Sequence, residues 1–136
     1  MGSIMTTPRD PPLPSLKGVT VLVVEDETIV SFLLEDMLTE LGCTAILQAS
    51  RVGDALATLR DRSPDLVVLD VNLGGEFAYP VARQLADARI PFVFTTGYER
   101  SGIPDEWASR PVIQKPFSFE AFAGALREAL SHPPAA

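Results

Sequence analysis

Five side chains of this sequence could do chemistry together: Glu25, Asp26, Asp70, Thr96 and Lys115. Each stands at or just beyond the end of a short apolar run, at 19–24, 66–69, 91–96 and 111–114. Two like charges about 4 Å apart repel by roughly 4 kcal/mol at an effective dielectric near 20. Glu25, Asp26 and Asp70, if brought together, would therefore need a cation, or a proton on one of them. With no histidine or thiolate in reach, a hard oxygen set selects Mg²⁺ or Ca²⁺ over zinc. Few carboxylates on short turns suit Mg²⁺, and no Asp-x-Asp-x-Asp-Gly loop is present to form an EF-hand. A carboxylate, a divalent cation, a hydroxyl and an ammonium make an electrostatic clamp for a phosphoryl group in transfer. No P-loop pattern cradles a nucleotide, and with no His or Cys nucleophile available Asp70 itself is the expected acceptor, as carboxylates are in aspartyl phosphates. By itself, Asp70 has a second reading as a turn-starting aspartate.

These residues meet only if the runs before them are parallel neighbours. Residues 66–69, Leu-Val-Val-Leu, read as a strand buried on both faces, and 19–24 reads the same way. Thr28 is placed to cap a helix with apolar positions Ile29, Phe32, Leu33, Leu34, Met37, Leu38 and Leu41, stopped by Gly42. Strand 44–49 and a helix over about 52–62 follow. After the glycines at 74 and 75, Pro80 suits the first turn of a helix running to about Ala88. Strand 91–96 comes next, and Gly97, Gly102 and Pro104 then interrupt any helix before strand 111–114. Ser118 caps a final helix with Phe119, Phe122, Ala123, Leu126 and Leu130. Alternation of strand and helix predicts an α/β, doubly wound three-layer sandwich with right-handed crossovers. Ligands bind beyond the carboxyl ends of such a sheet.

The remaining composition narrows the function. One domain fits in 136 residues, expected over 17–131, with a disordered leader at 1–16 and a disordered tail at 132–136. A net charge of −7, with 11 scattered Lys and Arg, argues against a nucleic-acid face. Cys43 is the only cysteine and His132 the only histidine, which excludes a disulfide framework and His- or Cys-based metal chemistry. No apolar run is long enough to span a membrane and no signal peptide opens the chain, so a cytoplasmic protein is expected.

Four motifs, Val23-Val-Glu25-Asp26-Glu27, Leu69-Asp70-Val-Asn72, Thr95-Thr96-Gly97 and Gln114-Lys115-Pro116-Phe117, together resemble a response-regulator receiver domain. The resemblance implies a flavodoxin-like (βα)5 fold of strand order 2-1-3-4-5, with the fourth helix here short or disordered. It also implies Asp70 as phosphoacceptor and Mg²⁺ held by Glu25, Asp26, Asp70 and the backbone carbonyl of Asn72. Thr96 matches the switch hydroxyl, Lys115 the phosphate-binding lysine, and Pro116 a candidate cis peptide. Two positions depart from the family pattern: Gly74 replaces a usual proline, predicting a more flexible loop, and Val112 replaces the usual Tyr or Phe. The segment 91–98 is similar to the single-domain FAT GUY receivers, with Thr95 where those have Ala. In that subgroup partner kinases are often of the HWE or HisKA2 type.

The resulting expectation is a single-domain regulator, monomer or weak dimer, phosphorylated by a histidine kinase or histidine phosphotransfer protein. It would signal by protein–protein contact or serve as a phosphate sink, catalysing only its own phosphorylation and dephosphorylation. The switch surface is expected at Gly97, Tyr98, Trp107 and Val112, the first three within a bistable 97–110 loop. Tyr98 and Trp107 have two readings, as contact residues or as covers for apolar surface beneath the loop. The alternatives in other classes are a Mg²⁺-dependent dehalogenase-type phosphatase and a non-phosphorylated pseudo-receiver binding module.

Overall fold

The structure is a computed structural model that describes residues 13–97 and 102–131. Its elements follow the alternation in order: β1 (Thr20–Val24), α1 (Thr28–Glu40), β2 (Ala45–Ala49), α2 (Val52–Asp61) and β3 (Leu66–Asp70). Then come β4 (Asn72–Leu73), β5 (Glu76–Phe77), α3 (Tyr79–Asp87), β6 (Phe92–Thr96), β7 (Val112–Gln114) and α4 (Phe119–Ser131). β1, β2, β3, β6 and β7 form one parallel sheet in the order β2-β1-β3-β6-β7. This is the expected 2-1-3-4-5 order, with the labels shifted by a small extra hairpin, β4–β5. Between β6 and β7 the expected short fourth helix is a 3-10 turn, Asp105–Trp107.

Strand alternation sorts the core into two layers. Leu22, Val24, Val67, Leu69, Phe92 and Phe94 face α2, α3 and Trp107. Val21, Val23, Leu66, Val68, Val93 and Ile113 face α1 and α4. β3 and β6 are buried at every position, which explains why their sequences read as unbroken apolar runs. Leu16 is fully buried in the second layer, and its N–H donates to the Leu41 carbonyl at 2.9 Å. Cys43 is a buried small residue just beyond α1.

Three local expectations need correction. Ser118 caps α4 as expected, its Oγ accepting from Ala121 N–H at 3.0 Å. Thr28, however, is already inside α1; Glu27 holds the cap position without a side-chain bond. The apolar stripe of α1 is wider than the sheet can cover. Leu34, Leu38 and Leu41 are buried, whereas Ile29, Phe32 and Leu33 are 83%, 60% and 44% exposed. The loop after Asp70 is not loose: Gly74 and Gly75, at φ +64° and +93°, form the two-residue turn of the β4–β5 hairpin. Paired positive φ values are what a tight hairpin demands and what glycine supplies without steric cost.

Candidate functional site

Parallel register brings the acids to one edge. Val24 pairs with Leu69, so Glu25 and Asp70 follow side by side, with Asp26 one residue further. One carboxylate oxygen from each of Glu25, Asp26 and Asp70 lies within 4.8 Å of the other two. Glu25 and Asp70 are both only 4% exposed, while Asp26 faces outward. Asp26, Glu27, Asp70, Asn72, Gly97 and Lys115 line a cavity of about 300 Å³ that opens at this edge.

Lys115 supplies the countercharge. It follows β7, its peptide bond to Pro116 is cis, and its Nζ donates to Asp70 Oδ2 at 3.0 Å. The same ammonium lies 3.0 Å from Glu25 Oε1 and 3.4 Å from Glu27 Oε1. The contact with Glu25 is an ion pair out of hydrogen-bond alignment, so Oε1 stays without a hydrogen bond. Asp70 Oδ1 accepts from Asn72 N–H at 3.3 Å, and Glu25 Oε2 from Glu27 N–H at 3.1 Å.

The balance of charge shows in the acid–base properties. Burial, and then the neighbouring Asp70 charge, push the Glu25 carboxyl up to about 7 against the opposing pull of Lys115. For Lys115 burial disfavours the charge, but contacts with Glu25 and Asp70 outweigh it, and the ammonium is pushed up to about 12. One ammonium among three carboxylates leaves the cluster short of positive charge. A hard divalent cation fits it by donor type, by the spacing of the three oxygens and by that charge deficit.

The hairpin closes one side of the site. Gly74 N–H donates to Asp26 Oδ2 at 3.0 Å, and Gly75 N–H to Asn72 Oδ1 at 2.8 Å. A proline at position 74 could not make the first of these bonds. Sequence reasoning missed this hairpin, although adjacent glycines between Leu73 and Glu76 are its signature.

Other expected residues are placed differently from Asp70. Thr96 ends β6 and is 1% exposed, and by strand alternation it stands in the column of Phe92 and Phe94. Thr95, directly opposite Asp70 in register, shares the acidic face instead. Gly97 lines the cavity, and Tyr98 lies outside the described residues. Trp107 is only 3% exposed and packs edge-on to Phe92 and Phe94, at centroid distances of 6.1 and 6.2 Å. The Arg83 and Arg110 guanidiniums lie 5.0 and 6.0 Å from the centre of its ring, and Arg83 also pairs with Glu106. Val112, half-buried, packs against the same cluster.

Next to the acidic edge lies an apolar surface. Val30, Leu33, Pro116 and Phe117, with Glu27 and Lys115, line a hollow of about 340 Å³, and Ile29 and Phe32 of α1 stand exposed. Among the described residues no helix is long and apolar enough to cross a membrane.

The likeness to known proteins extends over most of the chain. LytT of Bacillus subtilis, a sensory transduction protein, is 30% identical over 115 residues, 79% of this chain and 46% of LytT. The transcriptional regulatory protein PdtaR of Mycobacterium tuberculosis is 28% identical over 115 residues, 82% of this chain and 56% of PdtaR. The chain thus spans about half the length of these relatives. Among solved structures, SdrG of Sphingomonas melonis Fr1 is 43% identical with a TM-score of 0.75, covering 84% of this chain and 97% of SdrG. Its BeF3-activated conformation superposes with a TM-score of 0.71, covering 82% of this chain and 95% of that one. The receiver domain of PhyR from Erythrobacter litoralis is 25% identical with a TM-score of 0.76, over 90% of this chain and 95% of that one. Residues 21–127 match the response regulator receiver domain, and the chain belongs to that family of two-component signalling modules.

Proposed function

We propose that this receiver accepts a phosphoryl group on Asp70 from a histidine kinase or histidine phosphotransfer protein, with Mg²⁺ at the acidic edge. The observation that carries the reading is the position of Asp70: buried, beside two further carboxylates, and held by the Lys115 ammonium at 3.0 Å. Glu25, Asp26, Asp70 and the Asn72 carbonyl would hold the metal. When bound, Mg²⁺ supplies positive charge to the incoming phosphoryl oxygens and offsets the three carboxylates. Asp70 Oδ attacks phosphorus, the P–N bond to the donor imidazole breaks, and the imidazole nitrogen regains a proton. Lys115 shifts toward the new phosphoryl oxygens, whose charge exceeds that of the carboxylate it leaves. Thr96 is the switch hydroxyl, turned from the aromatic face toward the phosphoryl group.

The exposed apolar surface of α1, with Pro116 and Phe117, suits the docking of the phosphodonor, since it borders the acceptor cavity. Output then runs through protein–protein contact at the 97–110 segment, whose described part is held to the sheet by Trp107. Asn72 Oδ1 is occupied by Gly75 N–H, which speaks against an acid–base side chain there and hence against a dehalogenase-type phosphatase. The test is labelling by acetyl phosphate or a cognate kinase with Mg²⁺. Wild type should take label and Asp70→Asn should take none; label retained by Asp70→Asn would sink the assignment.

A further inference from the structure

Thr95 is fully buried, and its Oγ1 is one of two buried side-chain polar atoms without a hydrogen bond among the described residues. The other is Glu25 Oε1, at the centre of the acidic edge. A buried hydroxyl left unpaired is destabilising relative to valine, which has the same shape and fits a strand equally well. The hydroxyl therefore has to be accounted for by something other than packing.

Its place in the sheet points to a role. Thr95 pairs with Asp70 on one side and Ile113 on the other. Val68 and Val93, one pleat back, pair in the layer beneath α1 and α4. Asp70 and Thr95 continue those two columns on the same face. Lys115 sits beyond β7 and reaches Asp70 on β3, so its side chain crosses β6, where the residue on this face beside Asp70 is Thr95. In this arrangement both Asp70 oxygens already have donors, Lys115 Nζ on Oδ2 and Asn72 N–H on Oδ1. Each oxygen thus carries one donor, and Thr95 Oγ1 bonds to neither.

We propose that Thr95 is a positioning residue that donates to the Asp70 carboxyl oxygen when Lys115 moves to a bound phosphoryl group. The inference rests on the phosphoacceptor reading above. The new bond replaces the hydrogen bond that Asp70 loses when its ammonium leaves, and so favours the loaded state over the empty one.

The test uses the full chain with beryllofluoride and Mg²⁺ as the probe, on Thr95→Val and Thr95→Ser beside wild type. Thr95→Val should raise the melting temperature of the unliganded protein by about 4 °C. It should also weaken beryllofluoride binding by about tenfold, while Thr95→Ser keeps wild-type affinity. A Thr95→Val protein that binds beryllofluoride like wild type overturns the inference. So does a valine variant whose melting temperature shifts equally with and without ligand, since a packing role alone would give that. If wild type binds no beryllofluoride, the phosphoacceptor reading itself fails; if wild type binds and only the valine variant is unaffected, that reading stands and Thr95 has no part in it.

Discussion

The two faces of the sheet end differently at the carboxyl edge. On the α1/α4 side the last row is Glu25, Asp70 and Thr95, with Lys115 bridging the two acids. On the α2/α3 side the corresponding row is Leu69, Phe94 and Val112, closed over by Trp107. One side is built of charge in a tight hydrogen-bonded cluster, the other of aromatic packing without an acid in its core. β6 separates them by a single peptide, with adjacent threonines pointing opposite ways. A change of charge at Asp70 can therefore reach the aromatic side through one strand end. In the proposed function the first face carries the chemistry and the second the readout, and each can be perturbed alone.

The largest effect should come from Trp107→Ala, which empties a buried indole site and should cost about 3–5 kcal/mol by denaturant unfolding. Mg²⁺ affinity should change by less than about twofold, because the ring touches no acidic residue of the cluster. A matching loss of Mg²⁺ affinity would break the separation of the faces. Lys115→Met should destabilise the metal-free protein by about 2–3 kcal/mol, since it strips the countercharge from buried carboxylates. Added Mg²⁺ should restore much of that loss in this variant, and calorimetry with and without the metal would measure it.

A smaller effect follows from Glu25. Its carboxyl is raised to about 7, so the folded protein binds a proton more tightly than the unfolded chain does between about 4.5 and 7. Stability of the metal-free protein should therefore fall as pH rises through that window. Glu25→Gln should flatten the slope in a pH series of thermal melts. Smallest of all is Arg83→Ala, which removes an exposed ion pair with Glu106 and one guanidinium from the Trp107 ring. It should cost no more than about 1 kcal/mol. A loss near that of Trp107→Ala would mean that the charged contacts, rather than burial of the indole, hold the 105–107 turn in place.

Much of this arrangement was legible in the chain. Apolar runs ending on Glu25, on Asp70 and before Lys115 placed the strands, and parallelism alone put those residues on one edge. α1 was harder to read: period 3.6 gave the helix, but seven apolar positions could not say which of them the sheet would cover. Gly74 reads as looseness because glycine permits both freedom and a tight turn. Only the bonds from Gly74 to Asp26 and from Gly75 to Asn72 distinguish the two.

Local sequence thus determined the elements, their order and the acids at their ends, because periodicity and residue type act over a few neighbouring positions. Tertiary structure decided which residues face each other. It set Thr95 opposite Asp70, buried Trp107 with two arginines near its ring, and left Ile29 and Phe32 uncovered. Such choices depend on strand register and on what packs across the sheet, and both join residues distant in the chain.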